Sequence, residues 1–174
     1  NKNGVTIIPN GRFVQSYGKQ IDVAPHPYGM VISPDGNTLV TANSGTSPLS
    51  ITIIRNITSL VPQVQQIPEG NATQKGVLAS VFMGLAISPD NKIVYVSGGQ
   101  EKIWVFDTNR PGANAISEFQ TILKKKSKTG QKGLISCLNF RYDDTGVFAA
   151  GSFKGTVGIY DIRTLSDRNS SSFC

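Results

Sequence analysis

The stretch GMVISPDGN at residues 29–37 returns as GLAISPDNK at residues 84–92, a shift of 55 positions. In both copies a short apolar run, typical of a β-strand, ends in Ser-Pro-Asp. Proline presets the backbone for a tight turn, and aspartate hydrogen-bonds to the backbone that follows it. Each copy therefore predicts one strand and the turn that closes it, and the recurrence indicates a fold built from similar units.

Further apolar runs follow each of these turns. TLVTA at 38–42 and IVYVS at 93–97 come first, and LSITII at 49–54 and KIWVFD at 102–107 come next. A third, looser copy occupies residues 134–161. In the second and third copies, the turn aspartate and the aspartate that ends the last run are both 17 residues apart. Runs rich in β-branched and aromatic residues, separated by Gly, Pro and Asp turns, predict antiparallel sheets.

Three strands per repeat and a variable outer strand make one blade of a β-propeller. Outer strands are predicted within Val61–Ile67 and Ala115–Leu123, and the residues before the first repeat predict one or two strands of a preceding blade. The predicted fold class is all-β, with about three four-stranded antiparallel blades plus a partial one, centred on residues 28–67, 82–123 and 134–165. A propeller needs at least four blades to close, so the ring is predicted to be incomplete.

The composition is that of an ordinary globular chain, with 174 residues, 39% hydrophobic and 16% charged. None of its apolar runs approaches the roughly 20 residues that a membrane-spanning helix needs, so no membrane partner is predicted. Cys137 lies in an apolar run and Cys174 is the last residue, which predicts one core thiol and one exposed thiol. Two such cysteines do not indicate a cellular compartment.

The sequence shows no catalytic constellation. His26, the single histidine, lies between two prolines and predicts a loop residue. Asp35, Asp90 and Asp144 recur at the period of the blades, so we interpret them as turn formers and not as a metal or carboxylate site. With no histidine partner for any serine, a nucleophile is not predicted either. We therefore expect no enzyme activity, no cofactor, no bound metal and no small-molecule substrate.

The net charge of +6 is unevenly distributed, with +2 on residues 1–112 and +4 on residues 113–174. Much of the charge of the second part comes from residues 124–132, which contain five lysines and no acidic residue. This segment is either a solvated loop or a contact for RNA phosphates. The candidate RNA-binding residues are Lys124, Lys125, Lys126, Lys128 and Lys132. Trp104 and Phe106 alternate with aliphatic residues along one strand, which favours packing between blades over stacking on bases.

Residues 4–108 resemble the N-terminal part of YVTN-type propellers, which in bacteria are often fused to an alkaline-phosphatase-like phosphoesterase. The resemblance is carried by PYG at 27–29, ISPDG at 32–36, GLAISPD at 84–90 and VYVSGG at 94–99. It implies a propeller from an exported bacterial protein. The phosphoesterase activity belongs to a separate domain, whose clustered metal ligands are not among these residues.

From about Ile103 onward the chain is similar to the telomerase Cajal body WD-repeat proteins. VFDTNRPG at 105–112, GQKGLISCL at 130–138 and AAGSF at 149–153 carry this resemblance. It implies a nuclear propeller that binds small Cajal-body RNAs and the telomerase RNA. Both families share an apolar strand ending in Asp at Ile103–Thr108, so we interpret the chain as a chimera joined there. A single divergent natural propeller is the alternative.

These resemblances divide the chain into YVTN-like blades at 1–108, a WD-repeat-like blade with a basic connection at 109–165, and a polar tail at 166–174. The functional hypothesis is a non-enzymatic scaffold or binding module, of which an engineered chimera without evolved activity is one form. An RNA-binding WD-repeat segment and an accessory propeller of a phosphoesterase are the alternatives. Open blade edges at both ends predict a homodimer, and a protein or RNA partner stays open.

Overall fold

The computed structural model describes the chain over residues 5–15, 18–44, 49–67, 83–98, 102–109, 117–120, 134–144, 146–153 and 155–165. Within these ranges the chain forms thirteen β-strands and one four-residue helix. The all-β fold class is therefore confirmed. The predicted polar tail at 166–174 lies outside the described residues.

The chain begins with a two-stranded antiparallel sheet of β1 (Val5–Ile7) and β2 (Phe13–Gln15). The turn between the two strands contains Gly11, which has a φ of 78° and donates its backbone N–H to the carbonyl of Ile8. Glycine adopts this left-handed conformation without the steric cost of a side chain. This pair corresponds to the strands predicted before the first repeat.

Two four-stranded antiparallel sheets follow, each a meander in which consecutive strands are neighbours. Blade 1 consists of β3 (Pro27–Ile32), β4 (Thr38–Asn43), β5 (Ser50–Arg55) and β6 (Gln63–Ile67). Blade 2 consists of β7 (Leu85–Ile87), β8 (Ile93–Ser97), β9 (Lys102–Asp107) and β10 (Ser117–Gln120). The outer strands β6 and β10 lie within the two segments predicted for them, although both are shorter.

Blade 3 has three antiparallel strands in the described part of the chain, one fewer than predicted. They are β11 (Ile135–Phe140), β12 (Val147–Ser152) and β13 (Val157–Asp161). The short helix α1 (Ile162–Leu165) follows β13 directly. Asp161 begins this turn of helix, because its carboxylate accepts the backbone N–H of Arg163 at 3.0 Å.

The three blades lie side by side, with their first strands around one axis. β7 is in contact with both β3 and β11, which places the first strands of neighbouring blades next to each other. Two hydrophobic cores separate the blades, and β9 contributes to both, with Trp104 and Phe106 in the core shared with blade 1 and Ile103 and Val105 in the core shared with blade 3. The predicted packing of Trp104 and Phe106 between blades is confirmed.

The core between blades 2 and 3 is rich in aromatic rings. The ring of Tyr95 lies 4.9 Å from that of Phe140 in an edge-to-face arrangement and 5.5 Å from that of Phe148. Phe148 in turn stacks on Tyr160 at 5.3 Å. Pairs at these distances add stabilisation beyond the burial of their area. Burial raises the pKa of the Tyr95 phenol to about 12.

A glycine begins the apolar run of each of the first two repeats because neighbouring first strands come close together there. A Cβ atom on Gly29 would lie 2.2 Å from the backbone oxygen of Met83, and one on Gly84 would lie 3.3 Å from the backbone nitrogen of Cys137 in β11, as well as 3.0 Å from Ser97 Oγ in its own blade. Neither glycine has a positive φ. Close approach between strands, and not backbone conformation, therefore explains glycine at this position of the repeat.

The Ser-Pro-Asp turns of blades 1 and 2 have the same hydrogen bonds. Ser33 Oγ donates to Asp35 Oδ1 at 2.5 Å, and Ser88 Oγ donates to Asp90 Oδ1 at 2.5 Å. Each serine oxygen also accepts a backbone N–H from the next strand, as in the 2.8 Å bond from Thr38. The serine hydroxyl holds the pKa of each carboxyl below its usual value. The interpretation of these aspartates as turn formers is confirmed.

The third turn uses arginine where the first two use serine. Asp144 Oδ1 accepts the backbone N–H of Gly146 at 2.7 Å, so this aspartate also organises its turn. Its other oxygen pairs with Arg163 at 3.2 Å, and the same guanidinium reaches Asp161 at 2.6 Å. These ion pairs raise the pKa of Arg163 and tie the turn to the start of α1.

Candidate interaction surfaces

Blade 1 leaves part of one face exposed, on the side away from blade 2. Met30 and Ile32 occupy in β3 the positions that Leu85 and Ile87 occupy in β7. Blade 1 covers Leu85 and Ile87, which are 7% and 6% exposed. Met30 and Ile32, in contrast, are 71% and 53% exposed. Val64 lies in the same row across the sheet as Ile32 and is also exposed. We call Met30, Ile32 and Val64 the first-blade face.

Blade 3 leaves the opposite kind of face exposed, on the side away from blade 2. Val157 and Ile159 occupy in β13 the positions that Ile103 and Val105 occupy in β9. Blade 3 covers Ile103 and Val105, which are 0% and 5% exposed, whereas Val157 and Ile159 are 73% and 78% exposed. Ala149 lies directly opposite Ile159 in the sheet. We call Ala149, Val157 and Ile159 the last-blade face.

The two faces show that the described blades form an arc and not a closed ring. In a closed propeller each blade is covered on both sides by its neighbours. Here Met30, Ile32, Val157 and Ile159 are exposed at repeat positions that neighbouring blades bury in blade 2, whereas Thr52 and Ile54, in the middle of blade 1, are 1% and 3% exposed. The predicted incomplete ring is confirmed for the described residues.

The middle of blade 1 carries a buried polar network on the side of the first-blade face. Asn43 Nδ2 donates to Ser50 Oγ at 3.0 Å and to Thr52 Oγ1 at 2.9 Å, and Thr41 Oγ1 donates to Asn43 Oδ1 at 3.0 Å. In blade 2 the position of Thr52 is occupied by Trp104. These polar groups satisfy one another. Ile54, at the position of Phe106, is also buried on this side, so the apolar side chains that blade 1 exposes there lie in its inner and outer strands.

The expectation that Cys137 is a core thiol is wrong. Its neighbour Leu138 packs into the core between blades 2 and 3, so the alternation of β11 turns Cys137 to the other side, where its thiol is exposed and free. It lies opposite Gly151, whose missing side chain leaves room for the sulfur, since a Cβ there would lie 2.5 Å from Sγ. Cys137 therefore borders the last-blade face.

His26 is an exposed loop residue at the start of β3, as predicted. Its φ is 57°, and its carbonyl accepts the backbone N–H groups of Tyr28 and Ser44. The imidazole lies 5.8 Å from the Tyr28 ring. These contacts give the histidine a structural role at the start of β3, with an aromatic ring as its described side-chain neighbour.

The edges of blades 1 and 2 are joined by a partly buried arginine. Arg55 Nε donates to the carbonyl of Thr108 at 2.5 Å, and Nη1 donates to Gln65 at 3.1 Å. Partial burial lowers the pKa of this guanidinium, and the charge of Asp107 opposes that effect. Arg55 thus links β5 to the end of β9, which sequence reasoning missed because nothing near Arg55 in sequence marks its partner.

The five lysines predicted to contact RNA, within 124–132, lie outside the described residues, so their placement stays a prediction. Among the residues that are described, no group of three or more His, Cys, Asp or Glu side chains could hold a metal ion. In the same part of the chain, no helix has the length and apolar character needed to cross a membrane.

No family model matches the chain, and no curated protein matches it in sequence. Two solved structures match its fold, Kuenenia stuttgartiensis hydrazine synthase and the Cps50 (Swd1) beta-propeller domain of Myceliophteria thermophila. The first has a TM-score of 0.55 at 15% identity and covers 76% of this chain. The second has a TM-score of 0.53 at 13% identity and covers 81%. The fold is a β-propeller.

The chain spans less than half the length of either structure, 44% of the hydrazine synthase chain and 36% of the Swd1 domain. At 15% and 13% identity, these likenesses bear on the fold alone. No sequence match bears on the resemblances to YVTN-type propellers and to telomerase Cajal body proteins, which stay predictions.

Proposed function

We propose that the chain is a non-enzymatic β-propeller scaffold that binds protein through its exposed blade faces. The observation that carries this proposal is the pair of matched exposures. Val157 and Ile159 are 73% and 78% exposed, and Met30 and Ile32 at the other end of the arc are 71% and 53% exposed, although the equivalent residues of blade 2 are buried. Neighbouring apolar side chains exposed in this way mark interaction sites.

The chemistry of the described surface favours binding over catalysis. Its aspartates at the turns are engaged with serine, arginine or backbone groups, and its histidine has an aromatic neighbour. The likeness to the Swd1 β-propeller domain supports a protein-interaction role by analogy of fold alone. We expect the purified chain to show no metal-dependent phosphatase turnover.

The two resemblances supply more specific forms of this function. A chimera of YVTN-like and WD-repeat-like blades, joined within Ile103–Thr108, would have binding faces without an evolved partner. An accessory propeller of a phosphoesterase would use the same faces beside its catalytic domain. An RNA-binding role would instead depend on the lysines of 124–132. The faces favour a protein partner, because phosphate recognition needs cationic groups and the two faces carry none.

A photo-crosslinking amino acid placed at Ile159 tests whether the last-blade face binds protein. The side chain there is exposed, so the replacement leaves both cores unchanged. The matched control carries the same group at Leu60, an apolar residue in the turn between β5 and β6 that is even more exposed than Ile159. We expect protein adducts at position 159 and few at position 60. Equal adducts at the two positions would show that the face is not a binding surface.

A further inference from the structure

We propose that Asn56, in the turn between β5 and β6, is an acceptor site for an N-linked oligosaccharide. Asn56, Ile57 and Thr58 form the pattern Asn-Xaa-Thr, which is the acceptor sequence for this modification. The turn exposes the asparagine amide and the threonine together. The inference goes beyond the proposed function, because it concerns a covalent modification and not the exposed blade faces.

The two side chains that define the acceptor sequence are both at the surface. Asn56 and Thr58 are exposed, whereas Ile57 between them is half-buried. Neither of the two polar residues belongs to a hydrophobic core. The chain has two further sequences of this pattern, beginning at Asn71 and Asn169, and both lie outside the described residues.

The amide of Asn56 uses its oxygen within the fold and leaves its nitrogen free. Asn56 Oδ1 accepts a hydrogen bond from Asn37 Nδ2 at 3.3 Å. Within the described part of the chain, Asn56 Nδ2 has no hydrogen-bond partner. The nitrogen is the atom to which the sugar is attached, so the reaction would not have to break a side-chain hydrogen bond that Asn56 donates.

Main-chain hydrogen bonds hold the turn in shape independently of that nitrogen. The φ of Asn56 is 55°, a left-handed conformation that asparagine adopts more readily than most residues. Its carbonyl accepts the N–H of Ser59 at 2.9 Å, and the N–H of Ile57 donates to the carbonyl of Asn37 at 3.2 Å. An oligosaccharide on Asn56 Nδ2 would leave all of these bonds intact.

The donor in this reaction is an oligosaccharide carried on a lipid diphosphate. Asn56 Nδ2 attacks the anomeric carbon of the first sugar, so a carbon–nitrogen bond forms and the bond from that carbon to the diphosphate oxygen breaks. The nitrogen loses one of its two protons, and the lipid diphosphate leaves. The attached glycan is bulky and hydrophilic, and a surface turn can accommodate it. The last-blade face lies on a different blade, so the glycan would leave that face uncovered.

The experiment incubates the purified, folded chain with an oligosaccharyltransferase and its lipid-linked donor, and locates the glycan by mass spectrometry of peptides. We expect modification at Asn56. Thr58→Ala should abolish it and Thr58→Ser should retain it, because the acceptor sequence needs a hydroxyl residue at this position. Thr58 is exposed and outside both cores, so circular dichroism should show the same fold for both variants.

Asn43 gives a matched control, because it is 0% exposed and both atoms of its amide are hydrogen-bonded. Gly45→Thr creates an acceptor sequence at Asn43. We expect the folded variant to stay unmodified at Asn43, although a short peptide with the same substitution is modified. Equal modification of Asn43 and Asn56 in the folded variant would show that the fold does not select the site, and the inference would be wrong.

Two further results would overturn the inference. The first is a folded chain that stays unmodified at Asn56, or carries glycan only at Asn71 or Asn169, while a peptide of residues 53–61 is modified. The second is a lower urea midpoint for the chain modified at Asn56 than for the unmodified chain, because the turn should keep its hydrogen bonds. An unchanged midpoint supports the inference.

Discussion

Replacing Gly29 with alanine tests whether this repeat glycine is there to let two blades approach. The new Cβ would lie 2.2 Å from the backbone oxygen of Met83, 0.8 Å inside the 3.0 Å limit below which such contacts are essentially never found. A backbone oxygen cannot rotate away, so β3 and the entry to β7 must separate. Overpacking lowers the free energy of unfolding by about 1–3 kcal/mol. The lower conformational entropy of an unfolded chain with alanine instead of glycine raises it by about 0.4–1 kcal/mol.

We therefore expect Gly29→Ala to lower the free energy of unfolding by about 1 kcal/mol in urea titrations, with an unchanged dependence on urea concentration. Gly84→Ala is the matched control, because the shortest distances from its Cβ, 3.0 Å to Ser97 Oγ and 3.3 Å to the backbone nitrogen of Cys137, are at least 0.8 Å longer than the 2.2 Å at Gly29. Its effect should be the smaller of the two. A Gly29→Ala chain as stable as the wild type would refute the explanation of the repeat glycine by close approach.

Three further predictions concern the cores and the lysines. Amide hydrogen exchange should be slowest in β8 and β9, since blade 2 is covered on both faces, and faster exchange there than in β13 would contradict this. Burial raises the pKa of Tyr95 to about 12, so stability should hold up to pH 10 and fall towards pH 12, a loss that Tyr95→Phe should abolish in alkaline unfolding titrations. RNA affinity should drop steeply between about 50 and 200 mM salt, and a variant with all five lysines of 124–132 changed to Gln should bind more weakly in filter binding.

The strands and turns of blades 1 and 2 could be predicted because their signals are local. Apolar alternation marks a strand over a few residues, and Ser-Pro-Asp contains both partners of the bond between Ser33 and Asp35. The pairing of Trp104 and Phe106 on one side of β9 follows from the same alternation. Each of these features depends on residues within about six positions of one another, which a single sequence displays directly.

Features that depend on distant residues could not be predicted. The close approach of Gly29 to Met83 joins residues 54 positions apart, and Arg55 meets Thr108 across two blades. The exposure of Cys137 shows a second limit of prediction from sequence. An apolar run does not indicate which of its alternating side chains face the neighbouring blade. The core around Leu138 decides that question, and it is formed by strands from another blade.

Alternate residues of one strand, β9, pack into two different interfaces between blades. The number of residues in this strand therefore matters more than their identity. Inserting or deleting a single residue there would send Phe106 and Trp104 towards blade 3 and Val105 towards blade 1, and both cores would be lost together. Variation in length is therefore free only in the connections between strands. Blades of different origin can therefore be joined within such a strand only if the join keeps the alternation of side chains. Each residue after the join must face the same neighbouring blade as the residue it replaces.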